Sequence, residues 1–105
     1  MYRILLACAA GMSTSMLVEK MKSSAKERGI EVEIEAVPDG KAESIFMDYQ
    51  VVLLGPQVGH LEAKFRARTE PKGIPTEVIN MMDYGMMNGA KVLDRAIELI
   101  EKGEK

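Results

Sequence analysis

The chain has 105 residues, 47% of them hydrophobic and 29% charged, with a formal net charge of -2. A length of roughly 100–150 residues is usual for one domain, so we expect a single domain over residues 1–105. The composition is typical of a globular protein and excludes a disordered chain. The near-neutral charge argues against a nucleic-acid partner.

The single cysteine excludes an internal disulfide and indicates a reducing compartment. No Cys/His cluster has metal-ligand spacing, so we expect no metal and no other cofactor. The first apolar run, residues 4–10, is too short to span a membrane and lacks the layout of a signal peptide. We therefore expect a cytoplasmic protein that does not insert into the membrane.

Strand and helix patterns alternate along the chain, which predicts a parallel sheet covered by helices. The first strand is predicted at residues 2–7, a compact apolar run. A helix is predicted to begin at Ser13 or Thr14, whose hydroxyls can cap free amides, and to end at Gly29. Its apolar residues recur at helical spacing: Leu17, Val18, Met21 and Ala25.

The second strand is predicted at residues 30–37, where apolar residues alternate with three glutamates. This alternation indicates one wet face and hence an edge strand. The polar stretch that follows, up to Asp48, predicts a short helix or loop. Residues 51–54 are the most apolar four in the chain and predict a central third strand.

The second half of the chain continues the alternation. A second amphipathic helix is predicted to begin near Leu61 and Phe65, and residues 76–79 are predicted to form a fourth strand. A last helix is predicted at about residues 90–102, because Leu93, Ala96, Ile97 and Ile100 repeat at helical spacing. The predicted fold class is α/β, a single domain with a four-stranded parallel open sheet flanked by helices.

Three loops follow the carboxyl ends of these strands, at residues 9–15, 55–57 and 81–88. Ligands bind at this edge of an open α/β sheet. The first loop follows the only cysteine of the chain, Cys8, and leads into a helix; its residues are Ala9, Ala10, Gly11, Met12, Ser13, Thr14 and Ser15. We predict that this is a phosphate-binding loop.

Backbone amides in such a turn can hold a dianionic phosphoryl group, and the helix N-terminus adds partial positive charge. The same amides favour thiolate over thiol, which predicts that Cys8 is nucleophilic near neutral pH. The alternative is that Cys8 is a small buried hydrophobe, as most isolated cysteines are, and that the hydroxyls only cap the helix. The glycine-containing, hydroxyl-rich turn favours the nucleophile.

Two separated motifs, residues 8–18 and residues 51–58, carry a specific resemblance. Together with Glu77-Val78-Ile79 and Tyr84-Gly85, they make the chain similar, over nearly its whole length, to one protein family. It resembles enzyme IIB of the bacterial phosphoenolpyruvate-dependent sugar phosphotransferase system, in the lactose/cellobiose/diacetylchitobiose branch.

This resemblance implies a fold and a function. The fold is a four-stranded parallel sheet flanked by helices. The implied activity is that of a protein-phosphocysteine–sugar phosphotransferase. Cys8 would accept a phosphoryl group from a phosphohistidine of enzyme IIA and give it to a sugar during uptake through membrane enzyme IIC. The sugar stays open among cellobiose, chitobiose, lactose and other β-linked sugars.

Low-molecular-weight tyrosine phosphatases share the strand-cysteine-loop-helix layout but carry an arginine six residues after the cysteine. That position is Thr14 in this chain, and residues 9–15 contain no cationic side chain. A site without the guanidinium should stabilise the transition state of hydrolysis less well, so a phosphocysteine can persist. A cysteine phosphatase or arsenate-reductase-like enzyme, and a non-catalytic anion-binding module, remain the alternatives. Asp83 lies in the loop after the fourth strand, near where such phosphatases carry a general acid. It is interpreted as a solvated loop carboxylate, and the alternative is a residue of the pocket or of a partner surface.

Other residues near the strand ends are candidates for the pocket or for a partner surface. Pro56 and Gln57 are predicted to form a second wall, with Gln57 offering an amide to phosphate or to a partner, and a simple strand-ending turn is the alternative. Tyr84 would line the cysteine pocket, dock a partner or rest on the last helix. His60, the only histidine, is interpreted as an exposed residue at a helix start and not as a phosphoryl relay.

The methionines divide into two groups. Met16 and Met21 are predicted to fill the core. For the loop cluster near the proposed site we favour an interaction surface, since flexible thioethers suit a surface that meets two partners in turn. That cluster comprises Met81, Met82, Met86 and Met87, with Met12 in the cysteine loop.

Overall fold

Four parallel strands form one sheet in the order β2-β1-β3-β4 in the part of the chain that the structure describes. The computed structural model describes residues 1–9 and 12–103, and at residues 12–14 it describes the backbone alone. The strands are β1 (Tyr2–Cys8), β2 (Val32–Pro38), β3 (Val51–Leu54) and β4 (Thr76–Val78). The predicted parallel sheet is confirmed, with β2 at one edge and β3 in the interior.

Helices make the crossovers between the parallel strands, as a parallel sheet requires. The α-helices are α1 (Met12–Glu27), α2 (Asp39–Ile45), α3 (Glu62–Thr69), α4 (Met81–Gly85) and α5 (Gly89–Gly103). Short 3₁₀ segments lie at Phe46–Asp48, Pro56–Leu61 and Glu70–Lys72. The polar stretch before β3 is thus helical, and the second predicted helix is preceded by a 3₁₀ segment.

The sheet separates two hydrophobic clusters, because successive side chains of a strand point to opposite faces. Ile4 and Leu6 of β1 join the cluster under α1 and α5, whereas Leu5 and Ala7 join the cluster under α2 and α3. All four residues of β3 are at most 1% exposed. Burial of both faces explains why the sequence of β3 is continuously apolar.

Helix α1 ends as its sequence predicts. Gly29 has φ of 67°, the left-handed conformation that glycine adopts most readily, and its N–H donates to the Lys26 carbonyl at 3.2 Å. The Ile30 N–H donates to the Ala25 carbonyl at 2.9 Å, which completes the glycine cap. The start differs from the prediction, because the helix begins at Met12 and residues 12–15 form its first turn instead of a loop.

One core prediction in α1 is wrong. Met21 is fully buried, as predicted, but Met16 is 59% exposed. The two positions are five residues apart, whereas residues on one helix face are three or four apart. Leu17, four residues before Met21, occupies the buried position instead.

Helices α1 and α5 approach each other closely at Gly89. A β-carbon added to Gly89 would lie 2.5 Å from the Lys20 carbonyl carbon and 2.6 Å from the Met21 nitrogen. Only a residue without a side chain fits against this stretch of backbone, so Gly89 sets the distance between the two helices.

The predicted loop at residues 81–88 contains a helix. The Asn80 side-chain oxygen accepts hydrogen bonds from the backbone N–H groups of Met82 at 2.9 Å and Asp83 at 3.1 Å. This N-cap starts α4, a helix of five residues. The helix is too short to show an apolar period in the sequence, which explains the wrong loop prediction.

Polar side chains bridge β1, β2 and the start of β3 near the amino ends of the strands. Arg3 pairs with Glu33 at 3.0 Å, and the Tyr49 hydroxyl donates to Glu35 at 2.6 Å. The hydrogen bond to Glu35, together with burial, raises the pKa of Tyr49 to about 12. This network lies at the end of the sheet opposite Cys8.

Candidate functional site

Cys8 is the last residue of β1, at the carboxyl edge of the sheet. The side chain is 3% exposed and belongs to neither hydrophobic cluster. Its Sγ lies 3.6 Å from the carbonyl oxygen of Val37 in the neighbouring strand β2, a contact in which the thiol is the donor. Cys8 thus lies at the predicted edge, with its sulfur covered and turned toward β2.

Gly55 borders Cys8 on the side of β3. The Gly55 N–H donates to the Ala7 carbonyl at 2.9 Å, which continues the β1–β3 ladder past the end of β3. A β-carbon added to Gly55 would lie 3.6 Å from the Cys8 β-carbon. The sequence shows this glycine as a strand breaker, but its contact with Cys8 depends on the parallel register and was not predicted.

Gln57 and Tyr84 are brought together across the same edge. The Gln57 Nε2 donates to the Tyr84 hydroxyl at 2.7 Å. The Gln57 Oε1 lies 2.6 Å from the position of a Gly55 β-carbon, so the carboxamide covers the backbone next to Cys8. Pro56 opens the 3₁₀ segment that presents Gln57. The segment after β3 is thus a 3₁₀ turn whose glutamine contacts Tyr84, and the role of Pro56 and Gln57 as a second wall of the site stays a prediction.

Tyr84 is fixed by its packing. Its ring is half-buried against the cluster beneath α1 and α5, while its hydroxyl reaches Gln57. The ring rests on the core that includes residues of α5, and the hydroxyl points to the segment after β3. A role for Tyr84 in the cysteine pocket or in docking a partner stays a prediction. The hydroxyl provides an anchor for an exposed glutamine.

Asp83 is half-buried and lines a separate cleft of about 390 Å³. The floor includes Leu53, and the rim includes Glu77 and Arg95, whose side chains form two hydrogen bonds of 2.6 and 2.7 Å. Neither Cys8 nor Gly55 lines this cleft. The structure therefore places Asp83 in a different group of side chains from Cys8, Gln57 and Tyr84.

Three methionines in and directly after α4 are exposed. Met81, Met82 and Met86 are 75%, 72% and 72% exposed, while Met87 is half-buried against the core. Asp83, Tyr84 and the first two of these methionines share one short helix at the carboxyl edge. Such an arrangement supports a contact surface, although the role of the methionines stays a prediction.

The phosphate-binding loop itself is a prediction that the structure leaves untested. Ala10 and Gly11 lie outside the described residues, as do the side chains of Met12, Ser13 and Thr14. Ala9 and Ser15 are exposed on either side. What the structure does place is the N-terminus of α1, four residues after Cys8.

The described residues contain no group of three or more His, Cys, Asp or Glu side chains arranged to hold a metal ion. His60 is exposed, in the 3₁₀ segment before α3, as interpreted from the sequence. None of the helices in the described ranges has the length and apolar character needed to cross a bilayer.

The fold and the position of Cys8 define a small α/β domain with a cysteine at the end of its first strand, four residues before its first helix. Residues 3–95 match the family model of the lactose/cellobiose-specific IIB subunit of the phosphotransferase system. The chain therefore belongs to the lactose/cellobiose family of sugar-specific IIB subunits, which confirms the resemblance carried by the two motifs.

Individual relatives cover the whole domain. The chain is 44% identical to the oligo-beta-mannoside-specific EIIB component of Bacillus subtilis, over 95% of this chain and 97% of the relative. It is 44% identical to the galactose-specific EIIB component of Lactococcus lactis, over 92% and 94%. The solution structure of the cellobiose-specific IIB component from Borrelia burgdorferi is also 44% identical, with a TM-score of 0.82 over 97% and 94%.

Proposed function

We propose that Cys8 carries a phosphoryl group from a phosphohistidine of enzyme IIA to a sugar that enters through membrane enzyme IIC. The observation that carries this proposal is the position of Cys8. The only cysteine of the chain ends β1, and the N-terminus of α1 follows four residues later, in a IIB family member. A helix N-terminus favours negative charge, both on a thiolate and on a bound phosphoryl group.

The reaction is a pair of displacements at phosphorus. In the first, a bond forms between the Cys8 sulfur and phosphorus while the nitrogen–phosphorus bond of phosphohistidine breaks, and the thiol proton ends on the released imidazole. In the second, the oxygen of a sugar hydroxyl forms a bond with phosphorus while the sulfur–phosphorus bond breaks. The hydroxyl proton ends on the released Cys8 sulfur and restores the thiol. Each step needs the nucleophile in line with the leaving group.

The Cys8 side chain must turn before it can react. In the unphosphorylated chain its sulfur contacts the Val37 carbonyl and is 3% exposed. A carbonyl oxygen stabilises the thiol and repels a thiolate, so the proposed reaction moves the sulfur away from Val37 toward the N-terminus of α1. Backbone amides of residues 9–15 would then contact the phosphoryl oxygens.

The sugar is proposed only as a class. Three relatives, each 44% identical, are named for an oligo-β-mannoside, galactose and cellobiose, so overall similarity does not select one of them. We propose a β-linked disaccharide such as cellobiose or diacetylchitobiose, taken up by a partner enzyme IIC while this chain works in the cytoplasm. Uptake assays with cellobiose, diacetylchitobiose, lactose and galactose would separate the candidates.

Phosphorylation in a reconstituted system tests the proposal. The chain is incubated with phosphoenolpyruvate, the general phosphotransferase proteins and a cognate enzyme IIA, followed by intact mass and peptide mapping. We expect one phosphoryl group on Cys8, and none on the Cys8→Ser variant. A His60→Asn variant is the matched control and should be labelled like the parent chain. Label on His60 with Cys8 unmodified would overturn the proposal.

Hydrolysis of a generic phosphate ester separates carrier from phosphatase. The chain has Thr14 where the phosphatases carry arginine. We expect no turnover of p-nitrophenyl phosphate, whereas Cys8-dependent turnover would favour a phosphatase.

A further inference from the structure

The side chains of Gln57 and Tyr84 connect two segments that follow different strands. Gln57 lies in the 3₁₀ segment after β3, and Tyr84 lies on α4 after β4. Their hydrogen bond of 2.7 Å links α4 to the segment that begins beside Cys8. We propose that Tyr84 is a positioning residue for phosphoryl transfer at Cys8, and that it acts by holding the carboxamide of Gln57.

The Gln57 carboxamide lies close to the strand end that carries Cys8. The Gln57 Oε1 and the Cys8 β-carbon lie 2.6 and 3.6 Å from one point, the position of a β-carbon on Gly55. Because Gly55 has no side chain, the carboxamide lies over the backbone that borders Cys8. A phosphoryl group on the Cys8 sulfur would extend from the same strand end.

The Gln57 carboxamide has more donors than its bond to Tyr84 uses. A primary amide has two N–H donors. The bond to Tyr84 uses one of the two donors on Nε2, and the other stays available to a phosphoryl oxygen that approaches this nitrogen. The Oε1 beside Gly55 is an acceptor and makes no such contact. A donor fixed before the reaction stabilises the charge that develops during transfer, and it needs no reorganisation at that moment.

Tyr84 restricts the orientation of the Gln57 side chain. Gln57 is exposed and has several rotatable bonds, so its carboxamide would sample many positions without a partner. The Tyr84 ring is half-buried against the core, and its hydroxyl is therefore a fixed acceptor. One hydrogen bond between neutral groups enriches the bound orientation by about two- to tenfold.

This inference rests on the proposed function, and a cycle of variants tests it. The rate of transfer from phosphorylated enzyme IIA to Cys8 is measured for the parent chain, Tyr84→Phe, Gln57→Ala and the double variant. We expect each single variant to lower kcat by about two- to tenfold, with the enzyme IIA concentration at half-maximal rate unchanged. In the double variant, we expect Tyr84→Phe to cause no further loss.

Tyr2→Phe is the matched control. It removes a tyrosine hydroxyl that donates to Glu101 at 2.9 Å, and Tyr2 begins β1 at the end of the strand opposite Cys8. Its transfer rate should equal that of the parent chain. An equal loss in Tyr2→Phe would mean that a tyrosine hydroxyl acts through general stability, which would overturn the proposal.

Two other outcomes would also overturn it. One is an unchanged rate in Tyr84→Phe, and the other is the same loss from Tyr84→Phe whether residue 57 is glutamine or alanine. The NMR signals of the Gln57 side-chain NH₂ group report on its hydrogen bond to Tyr84 independently of activity. They should move in Tyr84→Phe and stay in place in Tyr2→Phe. Failure of the proposed function would look different, because the parent chain itself would not be labelled on Cys8.

Discussion

Gly55 follows β3 directly and borders Cys8, the last residue of β1, so the ends of two neighbouring strands adjoin here. A β-carbon at Gly55 would meet the Cys8 β-carbon at 3.6 Å, an ordinary van der Waals distance. It would meet the Gln57 Oε1 at 2.6 Å, which is too close. Gly55 thus leaves room for Gln57 beside Cys8.

Gly55→Ala is predicted to displace Gln57 while leaving the fold intact. The backbone at Gly55, with φ of -62° and ψ of 150°, is one that alanine adopts readily. The close contact is with the end of a flexible side chain, which can move at little cost in the free energy of unfolding. If Gln57 assists transfer, the rate at Cys8 should fall by about two- to tenfold, as measured by labelling from enzyme IIA.

Gly59→Ala is the control for this variant. Its added β-carbon would lie 3.7 Å from Val78, an ordinary contact, in the same 3₁₀ segment. Transfer should be unaffected. Equal rates for Gly55→Ala and the parent chain, with Gln57 shown by NMR to be displaced, would contradict a role for its position.

The sheet could be predicted from the sequence because its signals are local. The Val51–Leu54 strand is apolar throughout, since both of its faces are buried, and its bounds were predicted correctly. The glutamates of β2 likewise indicated its place at an edge. Gly29, a glycine after a run of helical spacing, marked the end of α1.

The site was predictable only in part. Cys8 follows from its place at the end of an apolar run, but the hydrogen bond between Gln57 and Tyr84 joins residues 27 positions apart and depends on their rotamers. The contact of the sulfur with Val37 depends on how β1 pairs with β2, which no local pattern gives. The cap at Asn80 was a signal for α4, because asparagine is a preferred N-cap residue.

A buried pair of hydroxyls between α3 and β4 gives a second prediction. Thr69 and Thr76 are 0% and 6% exposed, and their Oγ1 atoms lie 2.7 Å apart. Thr69→Val leaves the Thr76 hydroxyl without this partner, so the free energy of unfolding should fall by about 1–3 kcal/mol. Adding Thr76→Val removes the second hydroxyl, so the double variant should lose less than the sum of the single losses.

Urea unfolding of the parent chain and the three variants measures these losses. Ser23→Ala removes an exposed hydroxyl of α1 as the control, and it should leave the free energy of unfolding unchanged or slightly raised. Additive losses in the double variant would show that the two hydroxyls do not stabilise each other.

The pKa of Tyr49, raised to about 12 by its hydrogen bond to Glu35 and by burial, predicts a late tyrosine titration. The ordinary pKa of tyrosine is 10.0. Below this pH the Tyr49 hydroxyl is protonated in the folded and the unfolded chain, and its hydrogen bond contributes fully to the free energy of unfolding. Between pH 10 and about 12 the unfolded chain loses this proton first, so the contribution decreases. Ultraviolet absorbance of tyrosinate, with circular dichroism to follow folding, measures the titration.

Two variants separate the causes of this shift. Tyr49→Phe should abolish the tyrosine titration near pH 12. Glu35→Gln should move the Tyr49 titration toward lower pH, because the carboxylate acceptor is lost while burial of the hydroxyl remains. Absence of any tyrosine titrating near pH 12 in the folded parent chain would contradict the prediction.

Gly89→Ala is predicted to destabilise the chain by forcing α1 and α5 apart. The added β-carbon would lie 2.5 and 2.6 Å from backbone atoms of Lys20 and Met21, and no side-chain rotation relieves such a contact. Overpacking of this kind costs about 1–3 kcal/mol in the free energy of unfolding. Gly85→Ala, whose β-carbon would have no atom within 4 Å, should leave stability unchanged or slightly raised, since alanine favours helix. Urea unfolding of both variants checks the difference, and equal stabilities would show that the two helices can separate at no cost.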